Sequence, residues 1–417
     1  MKNLNPPYLK FFVYNNAWVA AMDTLATGSL LTAYALALGA GHLVIGLLAA
    51  IPYFGSLFNI FGAYGVKKGK NAKKIALITS LASRPFYLLC AGLAFCTRLP
   101  DRSLWLLLLI AFCYASGGIS AGAYYPWLKQ TLPDSQTHLF VRQKYLYAMG
   151  IHILCFLFAF FFFRIFTLSD GFTPLPAYAF IFFLAFVFGT AASLFLLPIP
   201  APENRRFNSS FSLSALWADP NSRGLFLLCT VGYFSSVYLF AFLPVFLLKF
   251  LNFSVVRLTF FALLSQIAFL LSLIYWKKLN EKKGPVFSAQ SSFAGLTILL
   301  ILLTLLLPSL PSCKWVLLVF SGVLFICAGM AQAGIQAGLD TTILLKAPKE
   351  NSPLYFALVA LVKTGAGLGA LFGGFWLNTV SAFSQQETTA WQLFFLFGFF
   401  LSLLALLCSK FSLGKIK

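Results

Sequence analysis

Among the ionisable residues inside long apolar stretches of this sequence, Asp23, Arg84, Asp340 and Lys363 are the candidates for function. An ionised side chain in hydrocarbon costs about 2.5–3.5 kcal/mol on insertion scales, so one retained there faces water, a partner charge or a solute. Asp23 is the candidate proton acceptor, and a purely structural ion pair is the alternative for it. Lys363 either attracts an anionic solute or neutralises Asp340.

Spacing groups these charges with other polar residues. Asn16, Asp23, Thr27 and Tyr34 recur at helical intervals, forming a polar stripe expected to face a cavity. Gln332, Gln336 and Asp340 fall at i, i+4 and i+8 and make a second stripe; the residues 216 positions earlier are Ser116, Ser120 and Tyr124. We read the two stripes as opposite walls of one site, the alternative being hydrogen bonds that tie helices together. Tyr125, Trp127, Tyr233 and Ser236 offer aromatic and hydroxyl surface to an amphipathic or ring-bearing solute, and an interfacial aromatic belt accounts equally for Tyr125 and Trp127. His152 is expected to be a packed, hydrogen-bonded histidine.

The elements that must position these residues are membrane helices. Of 417 residues, 60% are hydrophobic and 10% charged, far from the composition of soluble domains. A crossing needs roughly 20 apolar residues, and twelve windows supply them: 11–38, 42–64, 73–97, 103–128, 144–167, 176–197, 223–251, 254–276, 286–307, 315–342, 354–380 and 390–410. Between the sixth and seventh lies the longest polar stretch, with Glu203, Arg205, Arg206 and Asp219. Alternating the loops puts 22 Lys and Arg on the side of both termini and five on the other, with Arg84, Arg164 and Lys363 inside spans. That bias places both termini in the cytoplasm and accounts for the net charge of +20 without nucleic acid. The eight scattered cysteines read as packing residues, and the first span as a retained helix.

The halves repeat. GISAG at 118–122 and GIQAG at 334–338 are 216 residues apart, and Pro133 and Pro348, Phe140 and Tyr355, and Gly150 and Gly365 are each 215 apart. The loop after span two carries Lys67, Lys68, Lys73 and Lys74; the loop after span eight carries Lys277, Lys278, Lys282 and Lys283. Duplicated six-helix halves are a recurrent transporter architecture.

The segment GAYGVKKGKNAKK, 62–74, resembles the loop between helices two and three of the major facilitator superfamily, usually written GxxxDRxGRRK. Gly62, Gly69 and the basic residues fit; Val66 stands at the acidic position and Lys67 at the arginine. ALALGAGHLVIGLLAAIP, the SRP of 83–85 and LLKAPKENSPLYFAL resemble bacterial members of that superfamily. GAGLGALFGG, 365–374, is similar to its antiporter motif GxxxGPxxGG, although here it falls on span eleven rather than span five, and close helix packing is the alternative reading. The resemblance implies that spans one, four, seven and ten line a central path, which puts Asp23 beside the solute. It also implies a peripheral span three, so Arg84 is expected to pair with Asp23 or a carbonyl.

The expectation is an all-α integral membrane protein of the bacterial inner membrane. Twelve transmembrane helices form two pseudo-symmetric halves, 1–197 and 223–417, joined by a cytoplasmic linker, 198–222. It would move a small organic solute by alternating access as a secondary active transporter, with the proton as candidate coupling ion. Lipid or lysolipid flipping and multidrug export are the alternatives. No HExxH, metal-spaced His and Asp set or GxxxxGK[ST] loop occurs, so neither an enzyme nor an ATP-driven pump is expected. Membrane lipid is the expected surrounding, and the chain is expected to be a monomer without cofactor or metal.

Overall fold

Backbone N–H and C=O groups find no water in hydrocarbon, so each apolar span has to bond them within itself, as a helix does. The computed structural model describes residues 6–133, 136–168, 175–201, 220–309, 314–346, 352–384 and 386–413. Among them are twelve helices long and apolar enough to cross a membrane: α1 Leu9–Ala37, α2 His42–Lys67, α3 Ala72–Gly92, α4 Arg102–Thr131, α5 Leu146–Phe166, α6 Leu175–Leu194, α7 Arg223–Phe250, α8 Val255–Lys283, α9 Pro285–Leu306, α10 Trp315–Ile343, α11 Val359–Phe383 and α12 Glu387–Lys410. Glu203, Arg205, Arg206 and Asp219 of the expected linker lie outside the described residues, as does Pro348 of the repeat.

The chain forms two compact units, Met1–Ala40 with Phe54–Ser209, and Gly41–Tyr53 with Ser210–Lys417. In the first, α1 packs on α5 and α6, α3 on α4 and α6, and the second half of α2 on α4. In the second, α7 packs on α11 and α12, α9 on α10 and α12, and α8 on α10. Each pairing in one unit therefore recurs six helices later in the other. The loops repeat as well: the basic loops after α2 and α8 turn at Gly69 (φ 80°) and Gly284 (φ 89°), 215 residues apart. That left-handed backbone strains any residue with a Cβ.

Four helices are interrupted: α2 tightens over Ser56–Phe58, and α1, α7 and α3 are broken for local reasons. In α1, helix runs Leu9–Ala26, Thr27 is extended (φ −133°, ψ 179°), and helix resumes at Gly28. Gly28 has φ 55° and open space around it, so backbone conformation rather than crowding calls for glycine there. In α7 the regular helix ends at Phe240 and restarts at Leu243, before a wide turn over Phe246–Phe250. Pro244 has no N–H to give the Phe240 carbonyl, which breaks the ladder. In α3 the helix is divided at Arg84, just before Pro85.

Some boundaries depart from the sequence reading: the third span ends at Gly92 rather than 97 and the helix of the fifth begins at Thr137 rather than 144. The eighth span was expected to end at 276, yet α8 continues to Lys283. Its last two turns carry charges that water solvates without needing a loop, an exposed Lys277–Glu281 contact at 3.8 Å lies one turn along them, and the helix stops at Gly284.

Small residues set the helix spacing. Gly118 and Gly122 of α4 lie against the α2 backbone at Gly55 and Asn59, where a Cβ would collide. On α10, Gly334 meets Ser292 of α9 and Trp276 of α8, and Gly338 meets Pro285 and Ala289. On α11, Gly365, Gly369 and Gly373 close on Thr230, Phe234 and Phe242 of α7. Gly122→Val is therefore expected to overpack the α2–α4 contact and lower stability by about 1–3 kcal/mol, measured as an earlier unfolding midpoint of the purified protein in detergent.

Candidate functional site

In the first unit the charges gather where α1, α3 and α6 meet. Pro85 and the helix division it causes leave Arg84 at the centre, with only 8% of its surface exposed. Its Nη1 donates to Met22 Sδ (2.8 Å), Nη2 to Ser80 Oγ (3.1 Å) and Nε to Ser193 Oγ (3.4 Å). The two serine hydroxyls bond each other at 2.7 Å. Gly189 of α6 admits the guanidinium, since a Cβ there would meet Met22 and Arg84. Asp23 is adjacent to Met22 in sequence, is partly exposed, and has Arg84 as the charge that acts on it. No ion pair within 4.0 Å joins the two among the described residues, so the guanidinium is bonded to neutral groups and acts on Asp23 through space. One turn beyond, Thr27 Oγ1 donates to the Asp23 carbonyl at 2.6 Å, capping the helix end at the α1 break.

Other members of the first stripe do different work. Asn16 Nδ2 donates to Phe12 O (2.7 Å) and to the Tyr124 hydroxyl (2.8 Å), which links α1 to α4. Tyr34 is fully buried and donates to Cys90 O of α3 at 2.8 Å, while stacking on Tyr178. Tyr34 therefore lies in the packing of the bundle. Ser120 turns to α3, donating to Ala76 O at 2.8 Å. Trp127 is buried and donates to Pro200 O at 3.0 Å, whereas Tyr125 is exposed. His152 of α5 shares a hydrogen bond with Thr24, whose hydroxyl already donates to Ala20 O; the histidine Nδ1–H is then the donor.

In the second unit α7, α10 and α11 bring Tyr233, Asp340 and Lys363 together. The Tyr233 hydroxyl donates to Asp340 Oδ1 at 2.8 Å, and Lys363 Nζ meets the same oxygen at 3.0 Å. Nζ also stands 5.3 Å from the centre of the Tyr233 ring, within cation–π range. Gly365 against Thr230 and Gly232 against Leu339 bring the three helices close enough for these contacts. Gln332 and Gln336 share α10 with Asp340; Gln336 is exposed. Ser236 is buried and donates to Tyr233 O at 3.1 Å. Ser116 is partly exposed on α4. Among the described residues no three His, Cys, Asp or Glu side chains gather as metal ligands.

The sequence pattern of the Major Facilitator Superfamily matches residues 13–367. The chain belongs to this superfamily. No curated protein matches it in sequence. Solved structures share its fold: the nucleoside transporter NupG, with 14% identity, TM-score 0.66 and 98% and 99% of the two chains covered; a POT family transporter in complex with a thioalcohol-conjugated peptide, with 12%, 0.70, 97% and 96%; and a bacterial homologue of the human lysosomal transporter Spinster, inward-facing and occupied, with 15%, 0.63, 97% and 95%. The protein is thus a multi-pass membrane transporter of the major facilitator type.

Within that superfamily its loop between α2 and α3 is built differently. Val66, at the position of the usual acidic residue, is buried with Leu9, Phe12, Trp127, Phe140 and Leu196. Lys73 reaches across to the end of α6, donating to Leu197 O (2.7 Å) and Ile199 O (2.6 Å). Apolar packing and a lysine cap hold the loop. Of the glycines that resemble an antiporter motif, Gly365, Gly369 and Gly373 lie in the contact of α11 with α7, and Gly374 packs on His42 and Gly46 of α2. The partners of Arg84 went unnoticed in the sequence: Ser80 precedes it by one turn and was legible, whereas Met22 and Ser193 come from other helices. Arg84→Met is expected to cost about 1.5–3 kcal/mol through the lost charged hydrogen bonds, and Asp23→Asn in the same background to recover part of that loss, both read from unfolding midpoints.

Proposed function

We propose that this major facilitator protein is a secondary active transporter of a small organic solute, working by alternating access and coupled to protons through Asp23. The observation that carries the reading is the placement of Asp23. Its partly exposed carboxyl stands inside an apolar helix, one turn from a backbone break. Irregular backbone at membrane depth is tolerated where it lines a cavity or is covered by protein, and interrupted helices mark transporter binding sites. Arg84 gives the carboxylate an answering charge without a direct bond to occupy its oxygens. A proton can therefore bind and leave Asp23 while the hydrogen bonds of Arg84 to Ser80 and Ser193 stay in place. Neutralising Asp23 removes the charge that resists reorientation of the empty carrier.

The bias of Lys and Arg toward alternate loops supports cytoplasmic termini and residence in the bacterial inner membrane. A fluorescent fusion at Lys417 is expected to fold and emit, and a periplasm-dependent reporter at the same position to stay inactive.

Transport is tested in proteoliposomes loaded from a solute library. An imposed proton gradient is expected to accelerate net movement at least about tenfold in the native protein, and Asp23→Asn to abolish that dependence while exchange of solute for solute persists. Gradient-driven movement that survives in Asp23→Asn removes this residue from coupling. Movement indifferent to protons in both proteins removes proton coupling altogether.

A further inference from the structure

The ion pair of the second unit carries information about what the transporter binds. Asp340 and Lys363 stand 3.0 Å apart, yet 37% of the lysine side chain and 41% of the aspartate side chain remain open. Open charge on an apolar helix faces water or a bound solute, because hydrocarbon would penalise it. The pair also has unused capacity on both sides. Tyr233 and Lys363 both bond Asp340 Oδ1, and Oδ2 takes no hydrogen bond among the described residues. Lys363 has three N–H donors and spends one on Asp340.

Charge balance then selects the ligand. A lone anion drawn to Lys363 would compete with Asp340 and meet its repulsion at short range; a lone cation drawn to Asp340 would meet Lys363. Either leaves the centre with net charge once the bound solute covers it and displaces water, when imbalance becomes costly. A zwitterion fits without that cost, its ammonium on Asp340 Oδ2 and its carboxylate or phosphate on the spare donors of Lys363. The Tyr233 ring flanks Nζ at 5.3 Å and, being buried, holds the ammonium in position beside Asp340. Resting on the transporter reading above, we infer that the Tyr233–Asp340–Lys363 centre binds a zwitterionic group, an ammonium joined to a carboxylate or phosphate. A free amino compound and a zwitterionic lipid headgroup both carry it.

The test is ligand binding to the purified full-length protein in detergent, read by thermal stabilisation and calorimetry. The probes are alanine, leucine, phenylalanine and dialanine, each beside its amide, which lacks the anion, and its N-acetyl derivative, which lacks the cation. Glycerophosphocholine, lysophosphatidylcholine and lysophosphatidylglycerol form a second arm. At least one zwitterion is expected to bind at least about tenfold more tightly than both of its singly charged derivatives, a difference of ~1.4 kcal/mol. Binding by the amino compounds assigns a free solute; binding by lysophosphatidylcholine without lysophosphatidylglycerol assigns a lipid headgroup. Asp340→Asn and Lys363→Met are each expected to remove most of the affinity, and the exchanged pair D340K/K363D to restore it. Tyr233→Phe keeps both charges, and its smaller loss serves as a comparison should the single-charge variants melt early. An N-acetyl derivative or lysophosphatidylglycerol binding as well as its zwitterion overturns the inference, as does millimolar failure of every zwitterion. A solute that moves in proteoliposomes while no zwitterion binds leaves transport standing and removes this site; a zwitterion that binds but is not moved does the reverse.

Discussion

A charge inside hydrocarbon has to be answered by its own neighbours, and the rest of this structure is arranged around that requirement. Arg84 is answered by two hydroxyls and a thioether on α1, α3 and α6, and Asp340 by a phenol and an ammonium on α7 and α11. Neither arrangement is possible unless several helices come within side-chain reach of one point. The glycines supply that closeness: Gly189 admits Arg84 to α6, while Gly232 and Gly365 draw α7, α10 and α11 together. Packing and polarity are therefore one problem here, because lipid gives helices no hydrophobic reason to associate.

The two charged centres differ in the way that matters for transport. Arg84 is enclosed and bonded through all three of its nitrogens, so it ties three helices together. Lys363 and Asp340 are open and only partly engaged, so their pairing leaves room for exchange of partners. A carrier needs both kinds of group. On the reading proposed above, enclosed charges would hold each unit together, and open ones would offer a solute internal contacts to replace.

Much of this was legible in the sequence, and the reason is the solvent. Hydrocarbon enforces continuous apolar runs of a set length, so all twelve spans could be read, and residues such as Asp23, Asp340 and Lys363 stood out against them. What one sequence leaves out is which residues of different helices touch. Tyr233, Asp340 and Lys363 were each singled out, but their convergence on one oxygen depends on helix rotations that glycine contacts decide. Ser120 and Tyr34 had the right spacing for a cavity stripe and instead bond neighbouring backbones, because a hydroxyl on a membrane helix finds a nearby carbonyl as readily as a solute. The far end of α8 escaped for the opposite reason: once the helix enters water, apolar length no longer marks its boundary.

The interruptions of α1 and α7 show that one backbone feature can be made in two ways. Extended Thr27 and the turn at Phe242 are 215 residues apart, the same interval as the turning glycines Gly69 and Gly284. Yet one interruption is made by a glycine after an extended threonine and the other by a proline that withholds an N–H. Each unit thus interrupts its first helix at the corresponding place with different residues. An interruption of a membrane helix therefore does not prescribe its residues: a positive-φ glycine and a proline without an N–H reach the same result by different physical routes.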